Sequence, residues 1–226
     1  ARTDEGAYWA GVTAGKMSKT GVLGFVASIQ IPEVIRNIDA FTLGARSVNP
    51  AIKTKVVFTG SWFDMNKERA AAETLIGQGA DVLMQNTDSS AVLKTAEEKG
   101  KMAFGWDSDM SAYGPKAALA SSVIKWGDFY TKAVKDVVDG KFNNANQWKG
   151  VADGWVDLVS MNASVPADVK TFVDGKKAEL AKGGKVFVGP IKDQSGAEKV
   201  AKGAELSDAD LSKLDWLVEG VEAKLK

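Results

Sequence analysis

The sequence predicts an α/β fold, a doubly wound parallel sheet with helices on both faces. Three observations carry that prediction. Short apolar runs of strand length alternate with amphipathic stretches of helix length between residues 22 and 140. The strand-then-helix unit recurs about every 25 residues, a spacing that suits crossover connections and not tight hairpins. Caps, prolines and glycines stand where one run gives way to the next. Parallel strands joined by right-handed crossovers wind into a Rossmann-like layer.

The elements follow in order. Val22–Ser28 (VLGFVAS) reads as a buried strand. Pro32 and Glu33 open a helix to about Ser47, because proline suits the first turn and glutamate the positive helix end. Lys55–Phe58 is a second strand, and Asp64 caps a helix that Gly77 or Gly79 ends. Asp81–Gln85 is a third strand, with Asp88 as the cap of a helix to about Lys99. Met102–Trp106 and Ala117–Val123 are the fourth and fifth. Lys125–Val138 closes the set as an amphipathic helix with Trp126, Phe129, Tyr130, Ala133 and Val137 at helical spacing.

Three regions result: 1–21, an N-terminal helix and crossover; 22–140, the Rossmann-like lobe; and 141–226, a return segment with closing helices. The return segment starts with a polar connector, 141–147 (KFNNANQ). It continues with a strand at Trp155–Ser160, a charged helix at Pro166–Lys182 and a short strand at Lys185–Val188. Leu206–Leu225 supplies one or two helices capped by Ser207. So few strands make a poor independent core. The flanks are expected to be pieces of another lobe.

Composition narrows the function. Of 226 residues, 45% are apolar and 26% charged, the ordinary globular balance. Lys plus Arg and Asp plus Glu are both 29, so a strongly basic nucleic-acid binder is not expected. Cysteine and histidine are both absent. That removes thiol catalysis, Cys- or His-ligated metals, the Ser-His-Asp triad and the side chain best suited to acid–base work at neutral pH. No apolar run approaches the roughly 20 residues of a membrane span, and the chain opens at Ala1 without a signal-peptide pattern. Binding is favoured over catalysis, with no cofactor expected.

Ligands of doubly wound sheets bind beyond the carboxyl ends of the strands. Four loops stand there: 59–64 (TGSWFD), 86–89 (NTDS), 107–109 (DSD) and Lys125-Trp126. Trp62 offers a flat apolar face for stacking, worth roughly 0.5–1.5 kcal/mol beyond area burial; the alternative is a core aromatic plugging the strand end. Asn86, Thr87 and Asp88 either read a heterocycle edge, as Asn amides do with adenine, or serve only as caps. Asp107 accepts hydrogen bonds from hydroxyl or amino groups, or turns the chain, or joins Asp109 in holding a divalent cation. Lys125 and Trp126 are ligand contacts or, alternatively, a surface charge and the first core contact of a helix. Gly15-Lys16 lacks the spacing of a phosphate-binding loop, and Gly21 and Gly24 precede and interrupt a strand where a dinucleotide fingerprint must follow one.

A set of strings spans almost the whole chain: Tyr8-Trp9-Ala10-Gly11, Ala14-Gly15-Lys16-Met17, Gly24-Phe25-Val26-Ala27, Ile31-Pro32-Glu33-Val34, Ala40-Phe41-Thr42-Leu43-Gly44-Ala45, Ser61-Trp62-Phe63-Asp64, Gly79-Ala80-Asp81-Val82 and Gly189-Pro190-Ile191. As a set they resemble the basic membrane protein family, substrate-binding proteins of ABC importers that include purine nucleoside receptors. The resemblance implies a two-lobed type I periplasmic-binding fold without enzymatic activity, holding a purine nucleobase or nucleoside between lobes. It implies ABC permease subunits as membrane partners, a monomer, and a periplasmic or lipid-anchored surface location. It puts Trp62 in the place of the aromatic that stacks on the purine and Asp107 where a carboxylate contacts ribose or a base nitrogen. Lys125 falls near a polar contact, and Trp126 is similar to the subgroup of nucleobase receptors. Asn86, Thr87 and Asp88 depart from the Gly-rich loop of the nucleoside receptors, which favours a smaller ligand such as adenine. The first-lobe segment that would precede Ala1 is missing from the resemblance, so a larger original protein is expected. Two rivals stand beside this reading: a metal-dependent sugar-nucleotide enzyme using Asp107 and Asp109, and the ligand-sensing domain of a regulator, which needs a helix-turn-helix ahead of Ala1.

Overall fold

A computed structural model describes residues 1–226. Its strands are β1 (Val22–Ala27), β2 (Lys53–Phe58), β3 (Val82–Asn86), β4 (Met102–Asp107), β5 (Ala118–Ile124), β6 (Val156–Val159), β7 (Ile191–Lys192), β8 (Glu198–Val200) and β9 (Val221–Glu222). Seven of them form one sheet in the order β6-β5-β4-β3-β1-β2-β9, while β7 and β8 pair separately. All pairings in the large sheet are parallel except β5 with β6. The helices are α1 (Thr3–Met17), α2 (Pro32–Val48), α3 (Met65–Gly77), α4 (Ala91–Glu98), α5 (Trp126–Val138), α6 (Ala167–Ala181) and α7 (Asp208–Leu211).

The side-chain alternation of a strand divides the core into two layers. Leu23, Phe25 and Ala27 of β1 face α1, α2 and α6, while Val26 faces α3 and α4. Phe41 of α2 meets Phe25 and Phe104 edge-on at 5.7 and 6.4 Å between centroids. Three glycines let α1 and α2 touch backbone to backbone. A Cβ at Gly11 would stand 2.0 Å from the Phe41 carbonyl, at Gly44 2.1 Å from that of Tyr8, and at Gly15 2.6 Å from that of Ala45. Gly15, unsuited to phosphate binding by its spacing, serves helix packing.

The doubly wound layer stands as predicted, and both flanks also feed its sheet. The return segment adds β6 at one edge and β9 at the other, and α1 packs on α2 over the β1 face. Four local expectations are corrected. Asp88 does not cap a helix: α4 starts at Ala91, whose N–H is taken by the Ser89 hydroxyl at 3.1 Å, while the Asp88 N–H goes to the Trp62 carbonyl. Lys185–Val188 is no strand; only Val188 makes a bridge, to Glu205. Leu206–Leu225 holds the four-residue α7, capped by Ser207 as expected, and then extends into β9. The open edge of β2 captures it, with Thr54 N–H donating to the Gly220 carbonyl at 2.9 Å, and Asp39 accepts the Val218 N–H. The apolar stripe of α5 exists, but none of its residues is fully buried; Trp155 covers it only in part, against Trp126 and Phe129.

Asp39 is fully buried on α2; one carboxylate oxygen accepts the Val218 N–H at 2.9 Å and the other has no partner. Burial pushes its carboxyl well above the usual carboxylate range, with the Val218 hydrogen bond opposing. The folded state therefore keeps a proton that the unfolded chain releases. That contribution is fully present below the unfolded value near pH 4 and is lost as pH rises toward the folded value, at up to about 1.4 kcal/mol per pH unit. Urea unfolding between pH 4 and 7 is expected to show this loss, and Asp39→Asn should flatten it.

Candidate functional site

The strand order reverses at β1, whose neighbours are β2 and β3. The crossover α2 lies on one face and α3 on the other, so the switch point, where sheets of this kind bind ligands, lies beyond the carboxyl ends of β1 and β3. Ser28 follows β1 there. Its carbonyl accepts the Gly60 N–H at 2.8 Å, and its buried hydroxyl has no partner. Sequence reasoning counted Ser28 into the strand and passed over this loop, although a serine closing an apolar run at the sheet rim was visible.

The loop after β2 turns at Gly60, with φ +71°, a left-handed value that glycine adopts freely. Trp62 follows with 37% of its surface exposed, beside exposed Phe63 and Met65. The indole is not sealed under α3. The Trp62 carbonyl accepts the Asp88 N–H at 2.9 Å, which joins this loop to the one after β3.

Asn86 is buried at the end of β3, and its amide oxygen accepts from Asn37 Nδ2 at 2.8 Å. Thr3 donates to the Asn37 oxygen at 3.0 Å. The relay leaves the Asn86 NH2 group as the half of the amide without a protein partner. Thr87 is buried, and its hydroxyl donates inward to Glu68 at 2.9 Å. Asp88 is exposed; partial burial and then the Glu68 charge raise its carboxyl above the ordinary value.

Asp107 ends β4 with φ +62°. A non-glycine residue held there stores backbone strain, a feature concentrated at functional positions. Its side chain reaches solvent from a recess crowded by protein. That desolvation, then the carboxylates of Asp88 and Glu33, push it up to about 7, with the Ala1 amino group opposing. Asp88 and Glu33 thus lie near enough to act on Asp107 across the rim. Asp109 faces other partners, the Ser160 hydroxyl and the Ser111 N–H at 3.0 Å, which hold its carboxyl below the ordinary value. The Asp107–Asp109 pair is therefore split between two environments, and no group of three or more acidic residues is placed to hold a metal ion.

Lys125 and Trp126 are not brought to this group. Lys125 pairs with Asp157 at 2.7 Å, and Trp126 packs among Tyr130, Phe129 and Trp155 at centroid distances of 5.6, 5.9 and 6.1 Å. Two clefts lie away from this group. A cleft of about 550 Å³ runs between Phe129, Asn143 and Trp155, and one of about 330 Å³ between Tyr8, Leu43 and Ile191. Trp62 and Asp107 line neither and are exposed.

Comparison with known proteins gives a consistent result. A family model, Bmp, described as ABC transporter substrate-binding protein PnrA-like, matches residues 2–188. A purine-binding protein of Brucella abortus is 41% identical over 226 residues, 100% of this chain and 64% of that protein. A putative ABC transporter glucose-binding protein of Haloferax volcanii is 34% identical over 179 residues, 79% of this chain and 46% of that protein. The solved structure of an ABC transporter solute-binding protein from Aeropyrum pernix superimposes with a TM-score of 0.69 at 21% identity, covering 85% of this chain and 64% of that one. That last likeness shows the shared fold. The chain spans about half to two thirds of the length of these curated relatives.

Proposed function

We propose a function from one premise: the chain belongs to the Bmp family of PnrA-like ABC transporter substrate-binding proteins. It supplies one wall of a site for a purine, adenine or a purine nucleoside, which a second lobe closes from the other side. Trp62 stacks on the ring. The Asn86 NH2 donates to a ring nitrogen, and Asp88 and Asp107 accept from exocyclic amino or ribose hydroxyl groups. Lys125 and Trp126, engaged with Asp157 and Trp155, are left out of that wall. The protein binds and does not transform its ligand, works outside the cytoplasm and delivers to an ABC permease in the membrane. The supporting observation is that an exposed indole, a donor amide and a backbone-strained carboxylate stand on one rim, after β2, β3 and β4. The metal-dependent and regulatory readings have no comparable constellation behind them.

Calorimetric titration with adenine, adenosine, guanosine and xanthine, with glucose as the contrast, tests the reading. Heat is expected with at least one purine and none with glucose; the reverse pattern contradicts it.

The Asp107 carboxylate adds a pH dependence. Its free-protein value of about 7 lies in the working range. The ionised form is the acceptor, so affinity is expected to be full above pH 8. Below pH 7 it should fall by up to about tenfold per pH unit. Adenine or adenosine titrations from pH 5.5 to 8.5 should show this, and Asp107→Asn should remove it.

A further inference from the structure

Glu68 lies on the first turn of α3, wholly buried, with no cation beside it. Its carboxylate is satisfied by three hydrogen bonds. Oε1 accepts the Asp64 N–H at 3.0 Å, where the Trp62 loop ends. Oε2 accepts the hydroxyls of Thr87 at 2.9 Å and Ser89 at 2.6 Å, both from the loop after β3. Helix capping accounts only for the Asp64 bond, which reciprocates the Asp64 carboxylate's hold on the N–H groups of Asn66 and Lys67, both at 3.1 Å; it does not account for the two hydroxyls. A buried carboxylate is expensive, and its hydrogen bonds must be kept in place to hold it there. The hydroxyls of Thr87 and Ser89 bracket Asp88, whose N–H donates to the Trp62 carbonyl at 2.9 Å.

We infer that Glu68 is a positioning residue for the ligand wall: it clamps the Trp62 loop to the Asn86–Ser89 loop and so holds the stacking indole in register with the groups that read the ring edge. The inference rests on the purine reading for its effect on binding, but not for the clamp. β2 and β3 are not neighbours, since β1 lies between them. Their loops therefore have no ladder to align them, and the Glu68 carboxylate does so together with the Asp88–Trp62 hydrogen bond.

Amide hydrogen exchange and adenine titration of the 226-residue chain test this with Glu68→Ala and Glu68→Gln. In Glu68→Ala the Asp88 amide should exchange at least tenfold faster, and adenine affinity should fall by about tenfold, while Phe25 and Met84 amides keep their protection. Glu68→Gln retains an acceptor oxygen and should recover most of both. Unchanged Asp88 exchange in Glu68→Ala overturns the clamp. So does an equal loss of protection at Asp88, Phe25 and Met84 in both variants, which is the mark of a residue that serves only overall stability. Should the unaltered chain bind no adenine, the purine reading falls, and Asp88 exchange still decides the clamp.

Discussion

Trp62→Ala is expected to weaken purine binding by about tenfold to a hundredfold, following the ~1–3 kcal/mol that base–aromatic stacking contributes by alanine substitution. The reasoning is local. The indole is 37% exposed and stands in a loop whose backbone is held by Gly60, Ser61 and Asp88 through contacts that do not use the ring. Removing the ring leaves those backbone bonds in place but gives up its covered surface, so a stability loss of about 0.5–3 kcal/mol accompanies it. Trp62→Phe keeps a flat face and should retain most of the affinity. Titrations with adenine and adenosine check the series, with urea midpoints to show that the variants remain folded. Equal affinities for Trp62→Ala and the unaltered chain contradict the role.

Gly44→Val is expected to cost about 3 kcal/mol or more of stability, the upper range for forcing extra volume into a close-packed contact. Its first added atom would lie 2.1 Å from the Tyr8 carbonyl oxygen and 3.0 Å from the Val12 nitrogen. Both are backbone atoms of α1, which cannot turn aside as a flexible side chain does. Gly11→Val meets the Phe41 carbonyl at 2.0 Å from the opposite helix and should behave alike. Gly77 ends α3 with nothing within 4 Å of an added Cβ. Gly77→Ala should instead stabilise by about 0.5 kcal/mol through the unfolded state. Urea midpoints of the three variants give the comparison.

The parallel core of the fold was legible because its signals are local. Apolar runs bounded by Pro32, Asp64 and glycines mark β1 to β5 to within a residue or two, and Asp64 caps α3 as its position suggests. The C-terminal segment was not legible, because Leu206–Leu225 has helix-like composition while its conformation is set from outside. Asp39, the edge of β2 and Gln194 take up its backbone groups. Along the rim, the strand-end rule picked out the loops that carry Trp62, Asp88 and Asp107. It could not reveal that Asn37 occupies half of the Asn86 amide, that Thr87 turns inward, or that Lys125 is paired with Asp157. Those partners lie 49, 19 and 32 residues away in the chain, beyond any local pattern. Glu68 was invisible for the same reason: on sequence it is one more charge on a helix, and only the fold shows that it is buried.

The central claim is that a flat nitrogenous ring settles on the rim beyond β1 and β3. Titrating adenine into the isotopically labelled chain and following its amide and indole resonances tests that most directly. Shifts are predicted at the Trp62 indole, the Asn86 side-chain amide and the backbone of Asp88 and Asp107, with α5 and the cleft beside Tyr8 silent. Shifts confined to the Trp126–Trp155 cluster or the Tyr8 cleft, or none at millimolar adenine, would contradict it.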